Sequence, residues 1–308
     1  MTVHVLLNPA GAGGASLRRW GRIEPLARSL FPDLELHQSD RPGDLAAHAR
    51  GLADQDTLVL AAGGDGTSHE VINGLIAGRA GLAPRAALGW LPLGSGNDLA
   101  RSHRVPLDGA GALRHYHGAV TALADVGMVR WRDQHGHPAE RVFGNSLTFG
   151  LSAAVLDLVT KIGKPLGGRV SYFLATLRAI ASAAPLEATL DQTGGRFRLV
   201  AIINGTSFGA GMRITPGAQL DDGLLDLLTV DALSSLGTAL VFPRIYWGGH
   251  LGHPAVQRRT IRTLTLDAPG PVAFEADGEL YRGHPPFEIE VLPGALRVAQ
   301  PPALGSTR

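Results

Sequence analysis

The sequence predicts an α/β fold in two parts, a domain built on a parallel sheet and then a β-rich, antiparallel domain. Three observations predict it. Short uncharged apolar runs at 3–7, 58–62 and 87–91 each end in a Gly/Asn/Asp-rich loop and lead into a helical pattern, as buried parallel strands with crossover helices do. Beyond about residue 120 the pattern changes to closely spaced strand-like runs separated by turn residues. A chain of 308 residues, 44% apolar and 18% charged, accommodates two domains and a sizeable core.

The first run ends in Asn8-Pro9, and Gly11, Gly13 and Gly14 precede a helical pattern over 17–30. These glycines make a poor dinucleotide fingerprint, because Ser16 stands where the last Gly or Ala belongs and the strand near 34–37 offers no clear ribose acid. A Walker A loop is excluded, since neither Lys161 nor Lys164, the only lysines, sits in a GK[ST] setting. A helix is expected over 43–52. The central strand at 58–62 turns on Gly63-Gly64-Asp65-Gly66 into a helix with Val71, Ile72, Leu75 and Ile76 on one face. Thr67 and Glu70 have capping-box spacing, which makes Thr67 the expected N-cap. Strand, glycine turn and helix N-terminus together suit an anion: unpaired amides and the positive end of the helix dipole converge where glycines permit close approach. The strand at 87–91 ends in Pro92-Leu93-Gly94-Ser95-Gly96-Asn97-Asp98, too tightly spaced for a nucleophile elbow. A short helix follows, then another near 113–116. In an open parallel sheet such loops gather at one edge, where ligands bind.

The second part opens with strands at 120–131 and 141–149, and the boundary is placed near Ala124. Helices are expected at 152–162, 170–183 and 234–242. Strands are expected at 187–190, 197–204, 224–230, 260–266, 272–275, 280–281, 287–292 and 296–299. Thr193-Gly194-Gly195 and Asp277-Gly278 have hairpin-turn chemistry. The expected domains are therefore 1–124 and 125–299, with a tail at 300–308.

Composition removes several function classes. A net charge of +1 gives no basic stripe for nucleic acid. The absence of cysteine excludes disulfides and thiolate-bound metal. The start of the chain lacks the basic and apolar regions of a signal peptide, and no run reaches the roughly 18 apolar residues that a spanning helix needs. A cytoplasmic protein is expected, with peripheral contact on the inner face of the membrane left open. The histidine pairs His115/His117, His135/His137 and His250/His253 lack carboxylates at ligand spacing and read as solvated loop positions.

In chain order the motifs are Gly63-Gly64-Asp65-Gly66-Thr67 with Glu70 and Asn73-Gly74-Leu75, then Pro92 to Arg101, then Asp221-Asp222-Gly223 with Asp226, then Asp277-Gly278-Glu279. With Asp125-Val126-Gly127 and the segment from Asn204-Gly205 to Pro216, this set resembles the diacylglycerol kinase catalytic-domain family over nearly the whole chain. It is most similar to the bacterial soluble lipid kinases, with sphingosine kinases as relatives. The resemblance implies a phosphofructokinase/NAD-kinase-like nucleotide domain and ATP-dependent phosphorylation of a lipid hydroxyl such as that of diacylglycerol. ATP would lie in the cleft between the domains. The nucleotide contacts implied are Asn8, Ser39, Gly64, Asp65, Gly66, Thr67, Glu70, Ser95 and Asn97. Asp65, Asp98 and Asp125 would organise Mg²⁺ through waters. Asp277 would be the general base, with Glu279 in support. Asp222, with the carbonyls of Gln219 and Leu224, would hold a second, structural Mg²⁺ or Ca²⁺. Lys161 and Lys164 fall in a family segment at the cleft, where an anionic membrane surface is one reading and helix-end solvation the other. Ser95 for Thr, Leu99 for Phe and Ala210 for the middle Gly of a frequent triplet depart from the family pattern without removing a proposed chemical group. A homodimer stays open. The rivals are an NAD kinase-like phosphotransferase and a catalytically inactive lipid- or nucleotide-binding regulator.

Overall fold

A computed structural model of the chain describes residues 2–162 and 168–302, so Lys164 and most of the expected 300–308 tail lie outside the described residues. The chain divides into two units. The first comprises 1–126, 220–222 and 292–308, and the second 127–219 and 223–291. The first break falls at 126/127, against an expected boundary near Ala124, and the chain then returns twice to the first unit. The reason lies in backbone pairing at its end, where Val298 pairs in parallel with Leu88, and in Asp125, whose amide donates to Leu220 O.

The first unit alternates strand and helix: β1 (Val3–Leu7), α1 (Gly11–Leu30), β2 (Leu34–Gln38), α2 (Asp44–Leu52), β3 (Leu58–Gly63), α3 (Asp65–Ile76), β4 (Ala87–Pro92), α4 (Asp98–Ser102) and α5 (Gly109–His115). β1 pairs in parallel with β2 and β3, and β3 with β4, giving the order β2-β1-β3-β4. Every residue of β1, β3 and β4 is buried, which is why these strands read as unbroken apolar runs, whereas β2 at the edge is mostly open. α2 crosses α3 at Gly74, where a Cβ would stand 2.3 Å from Ala46 O.

The second unit is mainly antiparallel. Its elements are the end of β5 (Val120–Arg132), β6 (Pro138–Phe143), β7 (Ser146–Gly150), α6 (Leu151–Ile162), α7 (Gly168–Ser182), β8 (Leu186–Leu190), β9 (Thr193–Ile203), β10 (Leu225–Asp231), α8 (Ser235–Val241), two 3₁₀ turns (Phe242–Trp247 and Gly249–Gly252), β11 (Val256–Ile261), β12 (Thr263–Asp267), β13 (Val272–Ala276) and most of β14 (Glu279–Gln300). The sheet order is β11-β10-β9-β7-β13-β14. From Phe197 onward β9 is buried on both faces. Val200 and Ile202 join a core with Phe149, Phe274, Phe287 and Trp131, while Leu199, Ala201 and Ile203 join Phe208, Ile214, Val241 and Ile245. The aromatic centre packs edge-on and offset, with Phe149 and Phe287 centroids 5.1 Å apart.

Four local expectations are corrected. α3 starts at Asp65 with Gly64 as an extended N-cap, so Thr67 is not the cap but lies buried inside the first turn. The expected strand at 141–149 is two strands, β6 and β7, parted at Gly144-Asn145. The strand expected at 260–266 is likewise divided between β11 and β12. The hairpin expected at 193–195 turns instead on Asp191-Gln192, with Leu190 opposite Thr193 and Asp191 in the left-handed region that Asp tolerates.

Candidate active site

The loops after β1, β2, β3 and β4 are tied together by backbone bonds. Asn8 N donates to Ala62 O, Ser39 N to Leu7 O and Gly94 N to Gly63 O. The last bond brings two glycine loops into contact, and a Cβ on Gly94 would fall 2.3 Å from Gly64 Cα. Gly64, the N-cap of α3, brings no side chain to cap the helix, whose first turn carries Asp65 and Gly66. The Asp65 carboxylate reaches across to the next loop, where Oδ1 accepts from Asp98 N at 2.7 Å and Leu99 N at 3.3 Å and so caps α4. Asn97 takes the left-handed conformation, donates Nδ2 to Gly94 O, and its buried Oδ1 has no hydrogen-bond partner. Gly63, Asp65, Ser68, Trp90 and Asn97 line a small pocket. Ser95 is exposed beside it. Asn8 Oδ1 accepts from Ala10 N.

Two proposed ligands have other occupations. Glu70 Oε1 accepts the amides of Gly43, Leu45 and Ala46, so it caps α2 from 24 to 27 residues away. Asp125 Oδ1 accepts from Gly294 N at 2.7 Å, which anchors the returning C-terminal segment. Among the described residues, Asp65, Asp98 and Asp125 do not form a group of carboxylates within 4.8 Å of one another. They therefore do not offer direct coordination of one ion by all three. The N-terminus of α3, opened by a glycine, and the contact between the glycine loops fit a polyphosphate chain, whereas the partnerless Asn97 oxygen, an acceptor, calls for a donor or a cation. Asp222 is exposed in the loop before β10, and it belongs to the first unit, while Gln219 and Leu224 belong to the second.

In the second unit, β13 and β14 are joined by a two-residue turn, Asp277-Gly278, with φ of +49° and +88° and Ala276 opposite Glu279. Both residues left-handed is type I′ geometry, which suits the twist of a tight hairpin. Asp277 is only 3% exposed. Its carboxylate accepts three amides: Gly144 N to Oδ2 at 2.8 Å, and Asn145 N and Ser146 N to Oδ1 at 2.9 Å. These amides are available because the chain breaks between β6 and β7 there. Asn145 Nδ2 in turn donates to Ser207 O, and Asn204 Nδ2 to Gly144 O, so the break is held rigid. Glu279 starts β14 and is exposed.

The sequence reading missed Glu275. It is 7% exposed, lies opposite Thr148, and accepts from Thr148 Oγ1 and Ser152 Oγ. Burial pushes its carboxyl above the usual carboxylate range; the two hydroxyls pull it back, and the nearby Asp277 charge adds to the rise. A Glu between Phe274 and Ala276 in a buried strand was the available signal. His250 is also corrected: it is buried, not solvated, and its Nε2 contacts Ile214 O at 2.9 Å. Lys161 is exposed and paired with Asp157 at 2.6 Å.

Comparison with known proteins gives these features a family. Residues 2–129 match the diacylglycerol kinase catalytic domain, and residues 145–300 match the YegS C-terminal NAD kinase beta sandwich-like domain. The chain is 28% identical to a "Diacylglycerol kinase" of Mycobacterium tuberculosis over 97% of this chain and 95% of the relative. It is 31% identical to a "Probable lipid kinase YegS-like" of Serratia proteamaculans over 99% and 96%. A crystal structure described as that of "a putative diacylglycerol kinase from Bacillus anthracis str. Sterne" superposes with a TM-score of 0.73 at 26% identity, over 98% of both chains. Such kinases use ATP and typically a divalent metal. With a catalytic-domain match on its N-terminal part and a sandwich-domain match on its C-terminal part, the chain belongs to the diacylglycerol kinase/YegS-like lipid kinase family.

Proposed function

We propose that this chain transfers the γ-phosphoryl group of MgATP to a hydroxyl of a lipid such as diacylglycerol, with Asp277 as general base. The observation that carries the reading is the fixed Asp277 carboxylate, buried at a turn tip and aimed by three amides from a distant strand break. A turn alone does not need that anchoring. The lipid hydroxyl gives its proton to Asp277 as its oxygen bonds to the γ-phosphorus and the bond to ADP breaks. The loops carrying Asn8, Ser39, Gly64 to Thr67, Ser95 and Asn97 bind the triphosphate through amides and hydroxyls. Asp65, Asp98 and Asp125 orient the waters around Mg²⁺, which supplies charge neutralisation. Asp222, Gln219 and Leu224 hold a second, structural cation.

The test is transfer of label from γ-labelled ATP into a panel of lipid alcohols in mixed micelles, comparing wild type with Asp277→Asn. Loss of roughly 10²-fold or more in rate is expected for a general base. Full activity in the variant would make Asp277 a turn residue. Label in NAD⁺ offered in the same assay would favour the NAD kinase-like reading.

We also infer where the lipid surface is met. Phe173, Leu174 and Leu177 of α7, Leu236 and Leu240 of α8, and Tyr246 and Trp247 of the adjoining 3₁₀ turn are exposed, Leu236 at 72% and Trp247 at 63%. α7 packs on α8, and α8 on that turn. No Asp or Glu occurs over 168–182 or 232–255, while Arg178 and Arg244 are exposed. Apolar side chains, interfacial aromatics and uncompensated positive charge suit the headgroup region of an anionic bilayer. No described helix is long and apolar enough to cross a membrane. Co-sedimentation with anionic vesicles should fall about tenfold or more in a Leu240→Ser/Trp247→Ser variant. Unchanged sedimentation would remove this face from lipid contact.

A further inference from the structure

The parallel register of β1 and β2 sets His4 beside Glu35 and Leu6 beside His37. Side chains in register point to the same face, and residues two apart on a strand share a face, so His4, Glu35 and His37 converge. His4 Nδ1 lies 3.1 Å from His37 Nε2 and 3.3 Å from Glu35 Oε2, and His37 Nε2 lies 3.6 Å from the same oxygen. Among the described residues this is the group of His, Asp and Glu side chains that offers three ligand atoms at mutual metal-binding separation. Hydrogen bonds alone satisfy it poorly. With Glu35 ionised, a proton on both nitrogens sets N–H against N–H across the 3.1 Å contact. A proton on one leaves the other nitrogen's lone pair facing the carboxylate. A proton on neither leaves three lone pairs converging. A cation at the centre satisfies all three at once.

The geometry points to a divalent transition-metal site of zinc type, held by His4 Nδ1, His37 Nε2 and Glu35 Oε2. Zinc bonds of about 2.0–2.1 Å place tetrahedral ligands about 3.3–3.4 Å apart, and the three separations bracket that value. Two imidazoles and a carboxylate suit zinc, whereas Mg²⁺ prefers oxygen ligands in an octahedron. The fourth position belongs to water or to His48 of α2, whose ring lies 5.0 Å from that of His37. A bound ion would clasp the edge strand β2 to β1. The site shares no residue with the phosphoryl-transfer machinery proposed above and stands without it.

The experiment uses the full chain stripped with a chelator and titrated with ZnCl₂ by calorimetry at constant Mg²⁺, alongside metal analysis and thermal unfolding. One equivalent of Zn²⁺ is expected, with a rise in Tm that Mg²⁺ does not produce. Co²⁺ in its place should give the intense visible absorption of four-coordinate cobalt. Glu35→Gln and His37→Gln should each weaken Zn²⁺ binding on the order of 10²-fold or more, since loss of a direct ligand exceeds the 10–100-fold cost of losing an outer-shell partner. The Glu35 side chain is 58% exposed, so its replacement leaves the metal-free Tm and the kinase activity in place. His135→Gln, at an exposed histidine pair, should bind as wild type. Failure to bind one equivalent, or binding by both ligand variants at wild-type affinity, overturns the site and leaves a hydrogen-bonded triad.

Discussion

Asp65 and Asp277 perform the same operation at different range. Each is an aspartate at a glycine turn, and each accepts backbone amides. Asp65 takes two from the start of α4, a helix of five residues. Asp277 takes three from a strand break more than 130 residues away in sequence. The first carboxylate organises a helix N-terminus beside the glycine loops, and the second closes a circuit through the β core. The difference teaches that a half-buried cap on a five-residue helix can be exchanged at modest cost, while a buried carboxylate that satisfies a chain break cannot. Asp277→Ala should therefore destabilise by about 3 kcal/mol or more, since each orphaned buried amide costs about 1–3 kcal/mol. Asp65→Ala should cost about 1 kcal/mol, the usual value for a lost N-cap. Chemical denaturation of both variants checks the order, and equal losses would break the comparison.

The contact between the two glycine loops is the next largest effect. In Gly94→Ala the new Cβ meets backbone and not a movable side chain, so one loop must shift. Overpacking of this kind costs about 1–3 kcal/mol. ATP affinity, read by calorimetry, should fall with it, whereas Gly270→Ala, with open space around its Cβ and no left-handed backbone, should leave affinity unchanged. Equal affinities would separate the glycine contact from nucleotide binding.

The same contrast of range decides what the sequence could show. Strand, glycine turn and helix at 58–76 lie within one short stretch, so apolar run, turn residues and helical face are all visible together. Glu70 looks like the partner of Thr67 because it is three residues away, yet its carboxylate accepts three amides at the start of α2. The split between β6 and β7 carries no strong local signal, since Gly144-Asn145 is shaped by Asp277 from outside. His4, Glu35 and His37 meet only through the β1–β2 register, which spacing in the chain does not encode. The division of the chain depends in the same way on a terminal strand that pairs with β4.

Glu275 sharpens the comparison through pH. Burial raises its carboxyl above 4.5, so the folded chain holds that proton more tightly than the unfolded chain does. The resulting stability is fully present below the ordinary value and is lost as pH rises through the raised one. Glu275→Gln mimics the protonated form at every pH. The Tm of the variant relative to wild type should increase from acid towards neutral pH, and a difference independent of pH would show that Glu275 does not titrate differently on folding.

The smallest effect concerns Ala210. Phe208 and Met212 exchange backbone hydrogen bonds at 3.0 and 2.9 Å and close a loop of Gly209, Ala210 and Gly211, all three at positive φ. Two of the three are the residue that adopts this region without strain. Ala210 at φ +66° is not, and an L side chain there costs about 1–2 kcal/mol. Ala210→Gly removes that strain but adds about 0.5–1 kcal/mol of backbone entropy to the unfolded chain. The balance should favour the variant by about 0.5–1 kcal/mol in denaturant unfolding. Gly211→Ala, at φ +104°, should move stability the other way. Stabilisation by Gly211→Ala would mean that entropy, and not left-handed strain, governs this loop.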